Sequence, residues 1–149
     1  MASQARDEVI HIKIPSNPLY VSTVRRTVGS ISRNLGFPDE VIEDIELSVA
    51  EAVSNAVEHG SPSNHDSTIT VAFKISSEHL TIDVRDEGPG FNLPTGETVD
   101  DNLNERGRGL RLIYKLMDNV RVCNTVKGSR ISMKKCRSSE KSENVKTSV

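Results

Sequence analysis

The apolar residues of this chain repeat with two different periods, and the order of those periods limits the folds open to it. Residues 9–14 alternate, with Ile10, Ile12 and Ile14 on one side and His11 and Lys13 on the other. Period two marks a half-buried strand, and Pro15 ends it. Asn17-Pro18 then opens a helix, an N-cap residue followed by proline at the first helical position. Val21, Val24, Val28, Ile31 and Leu35 follow at spacings of three and four, a narrow stripe closed by Gly36. Pro38-Asp39-Glu40 starts a second helix with acids where the macrodipole favours them. Its stripe runs through Val41, Ile42, Ile45, Val49, Ala52, Val53 and Ala56 to a stop at Gly60 and Pro62. Period two returns in Ile69, Val71, Phe73 and Ile75, and again in Leu80, Ile82 and Val84. A Ser-Ser-Glu-His connection between these runs predicts an antiparallel hairpin. Beyond Gly109 a short helix presents Leu110, Ile113, Leu116 and Met117, and strands at 120–123 and 129–133 flank a turn at Lys127-Gly128. Helices and strands are segregated along the chain, so the expected fold is a two-layer α+β sandwich.

A length of 149 residues suits one domain. That domain is expected over 1–136, with the polar, serine- and lysine-rich 137–149 as a frayed, disordered tail. A formal net charge of -2 and 3% aromatic residues argue against a nucleic-acid groove with stacking platforms. No apolar run approaches the roughly 20 residues that span a bilayer, and MASQARDEVI lacks the apolar core of a signal peptide. Cys123 and Cys136 form neither a CxxC pair nor a disulfide framework. These features together predict a soluble, cytoplasmic chain with no membrane or direct nucleic-acid partner.

Three places break the ordinary patterns. Glu51 and Asn55, four apart, share a helical face, and a 100° advance per residue sets both beside the apolar stripe, with Ser48 and His59 on the same flank. A carboxylate and a carboxamide there can look into a cleft while the helix stays packed; the ordinary alternative is surface decoration. Asp86-Glu-Gly-Pro-Gly-Phe91 follows a buried-looking strand. Its aspartate can accept from a ligand amino group, and glycines at 88 and 90 let backbone approach a flat ring. The same string is also good turn chemistry. Arg106-Gly-Arg-Gly-Leu110 is a glycine-rich entry to a helix, where free N–H groups and the positive dipole end suit a phosphate, or simply a capping turn. Between the last two places, 88–106 shows no periodicity, which in a compact domain marks a lid, a binding loop or disorder. A P-loop is excluded because GxxxxGK[ST] is absent, and a dinucleotide fold because Gly88 and Gly90 open a long loop rather than a helix. The four histidines show no zinc-ligand spacing, and there is no GxSxG.

Taken in order, the strings Ser48-Val-Ala-Glu-Ala-Val-Ser-Asn-Ala-Val-Glu-His-Gly60, Val84-Arg-Asp-Glu-Gly-Pro-Gly-Phe91 and Arg106-Gly-Arg-Gly-Leu-Arg-Leu-Ile113 resemble the N, G1 and G2 boxes of the Bergerat-fold ATPases. That superfamily includes histidine kinases, DNA gyrase and mismatch-repair ATPases. Within it the chain is most similar to the bacterial anti-sigma factor serine/threonine kinases, over roughly residues 9–134. The resemblance implies a mixed, mainly antiparallel sheet with helices on one face. It implies ATP and Mg²⁺, with Asn55 ligating the metal and Glu51 as the base that takes a proton from an attacking hydroxyl. Asp86 would accept from the adenine amino group, with Gly88 and Gly90 against the ring. Gly107, Arg108, Gly109 and Leu110 would border the phosphates, residues 92–105 would form the lid, and Ser129 would stand where a threonine is usual. The implied reaction is phosphoryl transfer to a serine or threonine of an anti-anti-sigma factor. The implied further partners are a sigma factor, held through the first helix at Arg25, and a second copy of the chain, joined through the first strand and helix. Departures from the pattern are a short acidic lid, Arg108 and Arg111 where small or apolar residues are frequent, and Asn92 in place of an aspartate. The alternative reading is a non-catalytic, ATP-gated protein-binding module.

Overall fold

The computed structural model describes residues 6–59, 67–87, 105–125 and 128–137. Its elements are β1 (Glu8–Pro15), a 3₁₀ turn (Pro18–Tyr20), α1 (Val21–Asn34), α2 (Asp39–His59), β2 (Thr68–Ile75), β3 (His79–Asp86), α3 (Glu105–Leu116), β4 (Asn119–Asn124) and β5 (Ser129–Cys136). The strands form one sheet in the order β1-β2-β3-β5-β4. All four neighbouring pairs among the described residues are antiparallel, in keeping with the expected mainly antiparallel sheet with helices on one face. β4 and β3 share a direction, but β5, the hairpin partner of β4, lies between them.

Period-two patterning becomes a core through register. Ile12, Val71, Val84, Ile131 and Val122 line up across the five strands, and Phe73, Ile82, Met133 and Val120 form the next row. Val71, Phe73, Ile82 and Met133 have no exposed surface, and from the helices Val24, Val28, Ile45, Val49, Val53, Leu110 and Ile113 are equally enclosed. Each such side chain contributes about 1.5–3 kcal/mol by leaving water, so this inner face fixes the helical layer on the sheet. α2 packs against α1 on one side and α3 on the other and lies over β2 and β3.

Local signals set the helix ends. The Asn17 side chain accepts the Leu19 N–H at 3.0 Å, but the first turn, Pro18–Tyr20, is wound as 3₁₀ and α1 proper begins at Val21. The short Asx cap holds that turn tighter than an α-helical one. Gly36 closes α1 with φ +84°, the left-handed conformation that favours glycine. α3 begins at Glu105, four residues earlier than the glycines suggest. Leu110 and Ile113, both fully buried, anchor the helix and offset a cost of about 1 kcal/mol per glycine. Arg137, expected in the tail, instead donates its backbone N–H to Glu78 O at 2.8 Å and its side chain to Ser76 O at 2.6 Å. It therefore belongs to the fold; 138–149 lie outside the described residues.

The face of the sheet turned away from the helices is polar. At its centre Asp83, 2% exposed, pairs with Lys74 at 2.9 Å. Burial pushes its carboxyl pKa up, but the Ser132 hydroxyl, the Lys74 ammonium and the Arg130 charge outweigh burial and hold it below the usual carboxylate value.

Candidate active site

The inner face of the sheet changes character at one end. Ile14 and Ile69 are opposite one another, and the same row continues as Asp86, Ser129 and Asn124. Asp86 lies two residues beyond Val84, so alternation turns it toward the helices, and it is nearly buried at 8% exposure. Ser129 Oγ, fully enclosed, donates to Asp86 Oδ2 at 2.7 Å. A carboxylate has about four lone-pair directions, so this bond orients Asp86 without exhausting it. Gly128, just before Ser129, is a position the sequence marks only as a turn. A side chain there would overlap the Asp86 carbonyl oxygen, so β5 can approach the end of β3 only with glycine at that point. The turn is pinned from the other side, where Gly128 N–H donates to Thr125 Oγ1 at 2.9 Å.

α2 supplies the opposing wall. Ile45, Val49, Ala52, Val53 and Ala56 enter the core, and Ser48, Glu51, Asn55 and His59 follow one another along the flank. Three buried atoms on that flank, Ser48 Oγ, Asn55 Nδ2 and His59 Nε2, have no hydrogen-bond partner among the described residues. His59 Nε2 does lie 3.5 Å from Glu58 Oε2. More than nine in ten buried polar groups are satisfied in folded proteins. The helical advance places Ser48 and His59 on this flank from sequence alone, but nothing in sequence reveals that their polar atoms lack partners.

α3 packs against this flank of α2. At Gly109 the nearest atoms to a Cβ position would be Glu51 Oε2 at 2.6 Å and Asn55 Nδ2 at 3.0 Å, with Asn55 Oδ1 at 3.6 Å. Glycine is therefore what allows the backbone of α3 to rest against both α2 side chains. The helix starts at Glu105, so Gly107 falls in the first turn, whose N–H groups lack intrahelical acceptors, and Gly109 lies past it. Arg108 shares the α3 backbone; its side chain is outside the described residues. Leu110 is fully buried in the core, so only its backbone can border a ligand. Gly88, Gly90 and the expected lid up to residue 104 lie outside the described residues. Arg25 is exposed on α1, an element that contributes none of the other candidate residues. The structure thus brings Glu51, Asn55 and Gly109 together, and separately Asp86 and Ser129.

The profile of the histidine kinase-like ATPase domain matches residues 14–135. The chain belongs to the histidine kinase-like ATPase family. Serine-protein kinase RsbW of Oceanobacillus iheyensis is 36% identical over 126 residues, which is 78% of this chain and 80% of the relative. The same-named proteins of Bacillus subtilis and Listeria monocytogenes are 32% and 35% identical over 126 and 123 residues, each covering at least 76% of this chain and 78% of the relative. Relatives of that name, at that identity and coverage, make this member of the ATPase family a protein serine/threonine kinase that uses ATP.

Solved structures agree on the fold. The RsbU and RsbW domains of a Mycobacterium tuberculosis protein superpose with a TM-score of 0.66 at 22% identity, over 86% of this chain and 32% of that longer chain. The histidine kinase domain of a blue-light activated kinase from Erythrobacter litoralis gives 0.58 at 21% identity, over 87% of this chain and 64% of its own. Among the described residues no helix is long and apolar enough to cross a membrane.

Proposed function

We propose that this kinase works as an anti-sigma factor in a partner-switching circuit of the bacterial cytoplasm, with Mg²⁺ as its metal. It would phosphorylate an anti-anti-sigma protein and otherwise hold a sigma factor. The observation that carries the site assignment is the meeting of Glu51, Asn55 and the Gly109 backbone. One wall is a carboxylate, the next a carboxamide with an orphaned buried atom, and the third a backbone that a Cβ would spoil.

In this reading Asp86, oriented by Ser129, accepts from the adenine amino group, and Gly88 and Gly90 border the ring. The N-terminal turn of α3, at Gly107 and Arg108, faces the phosphates with backbone N–H groups, and the Gly109 and Leu110 backbones follow behind it. Asn55 fits a hard cation: a half-turn about its last torsion presents either oxygen or nitrogen, and the oxygen is a suitable ligand. When bound, Mg²⁺ would neutralise phosphate charge. Glu51 takes the proton from the partner's serine hydroxyl as its oxygen bonds to the γ-phosphorus and the bond to ADP breaks. Such a reaction needs position and charge neutralisation more than covalent chemistry. Glu51→Gln keeps the shape and removes the base. It should abolish transfer of labelled phosphate to an anti-anti-sigma partner while leaving ATP binding by calorimetry within about twofold. Transfer at the parental rate would remove Glu51 from the mechanism.

Two partner surfaces follow from α1 and β1. Arg25 is exposed on α1 and is the proposed sigma contact; Arg25→Glu should end sigma capture and leave phosphorylation intact. β1 is an edge strand with Val9 and Ile10 at 50% and 41% exposure, and a groove of about 450 Å³ beside it is lined by Ile10, Thr23, Arg26, Thr27, Ser30 and Ile31. Exposed edges and apolar grooves ask for cover. This surface is the proposed homodimer interface; Ile10→Asp should shift the sedimentation coefficient to that of a monomer, and an unchanged value would refute it.

A further inference from the structure

The solvent face of the sheet, opposite the helices, is a nearly unbroken field of positive charge. Strand alternation and register place Lys13 of β1, Lys74 of β2, Arg85 of β3, Arg130 and Lys134 of β5 and Arg121 of β4 on this one face. Lys13, Lys74, Arg85 and Arg121 are exposed, and Arg130 and Lys134 half-buried. The acids among the described residues of this face are Asp83, buried and paired with Lys74, and Glu87 at the rim, which accepts from Thr68 Oγ1 at 3.3 Å. Of the six cations, only Lys74 has a carboxylate within ion-pair distance among the described residues. Arg85 and Arg130 stand directly opposite one another, an arrangement that costs stability because like charges face across the strands. Arg130 also keeps a buried Nε without a hydrogen-bond partner. The chain as a whole carries a net charge of -2, so this concentration of cations reflects segregation, with the acids gathered elsewhere, such as Asp39, Glu40, Glu43, Asp44 and Glu46 on α2.

We propose that this sheet face is a docking surface for an acidic protein partner, separate from the candidate active site on the opposite face. The residues between the cations, Thr70, Ala72, Thr81 and Ser132, are small, so the surface is flat. Strands about 4.8 Å apart with same-face residues about 6.7 Å apart make a grid. Carboxylates on alternate residues of an extended segment, or one turn apart on a helix, match that grid. A nucleic acid fits less well. Among the described residues the face carries no Phe, Tyr or Trp on which bases could stack. The area, roughly 20 Å by 20 Å, sits at the small end of specific interfaces. Docking here is therefore fast, transient and governed by salt. Asp86 and Ser129 point to the other side of the sheet, so a partner held here leaves nucleotide access open.

The test uses the full chain and a labelled peptide with glutamate at alternate positions, followed by fluorescence anisotropy at about 50 and about 300 mM salt. The wild type should bind at low salt and weaken at least tenfold at high salt. R85E/R121E/K134E, which touches no catalytic group, should bind at least tenfold more weakly while keeping the parental ATP affinity. Equal binding by the variant, or tighter binding of an equal-length DNA duplex than of the peptide, overturns the proposal. Amide shifts of the wild-type protein titrated with the peptide give a check that needs no variant. Shifts on β3, β4 and β5 support the assignment, and shifts confined to α1 and α2 defeat it.

Discussion

Gly109→Ala separates stability from catalysis at a single atom. The new methyl would lie 2.6 Å from Glu51 Oε2 and must reach about 3.4 Å for ordinary contact, so the carboxylate has to retreat by about 0.8 Å. Oε2 is the far end of a flexible side chain, and the retreat costs about 0.5–1.5 kcal/mol of rotamer strain. Replacing a helix-interior glycine with alanine returns about 1 kcal/mol. The two nearly cancel, so the urea midpoint should barely move. Catalysis has no such compensation: a misplacement of about 1 Å at a reacting group can cost about a hundredfold. Single-turnover transfer from labelled ATP to an anti-anti-sigma substrate should therefore fall by about 30–100-fold. Asn55 Nδ2 stands 3.0 Å from the same position and must also give slightly, so ATP affinity measured beside the transfer rate tells displacement of Asn55 from displacement of Glu51. Parental transfer by Gly109→Ala alone, with folding intact, would show that the rate does not depend on where Glu51 stands.

Other expectations follow from the same geometry. Asp86→Asn would turn an acceptor into a donor facing the adenine amino group, and a mismatch of about 1–3 kcal/mol should weaken ATP roughly tenfold to a hundredfold by calorimetry. Ser129→Ala removes only the bond that orients Asp86, so it should weaken ATP by about tenfold or less; a larger loss than that of Asp86→Asn would reverse their roles. Lys74→Met leaves the Asp83 carboxylate buried without its counter-ion and should cost about 1–3 kcal/mol in urea melts at pH 7. Asp83 has a folded pKa below its unfolded value near 3.8, so its contribution is present above about pH 4 and is lost as pH falls through the folded value. The cost of Lys74→Met should therefore shrink as pH falls below about 3.8, and a cost that stays undiminished down the acid limb would remove the ion pair as its cause.

Much of this fold was legible because its elements are long and cleanly periodic. The α2 stripe needed only spacing to read, and the 100° advance placed Glu51 and Asn55 on a common flank. The hairpin of β2 and β3 followed from two alternating runs and a short connection. What escaped reading was set by tertiary approach. Glycines 107 and 109 look like the end of a loop, yet they continue a helix because Leu110 and Ile113 anchor it in the core. The bond from Ser129 to Asp86 spans 43 residues of sequence and exists only because β5 pairs with β3. Gly128 looks like any turn glycine until the Asp86 carbonyl is found against it. Arg137, polar and near the end, reads as tail, but the carbonyls of Ser76 and Glu78 bind it to the β2–β3 turn.

The polar end of the inner sheet face has a simple physical setting. A sheet covered by helices must bury its inner face, and rows of Val, Ile, Phe and Met do so over most of its length. In the last row β3 and β5 offer Asp86 and Ser129 in place of apolar residues, and α2 offers Glu51 and Asn55 from its flank. Burial of polar groups is costly unless they are hydrogen-bonded, and the bond from Ser129 to Asp86 offsets that cost at this end of the sheet. The core that surrounds this end holds the polar groups in place regardless. Val49, Val53, Leu110 and Ile113, all fully buried, set the positions of α2 and α3, and glycine at 109 brings them as close as backbone allows. In the proposed reading, stability and reactivity are divided between two sides of α2. Substitutions at Val49 or Val53 should unfold the chain before they alter its chemistry, and substitutions at Glu51 should do the reverse.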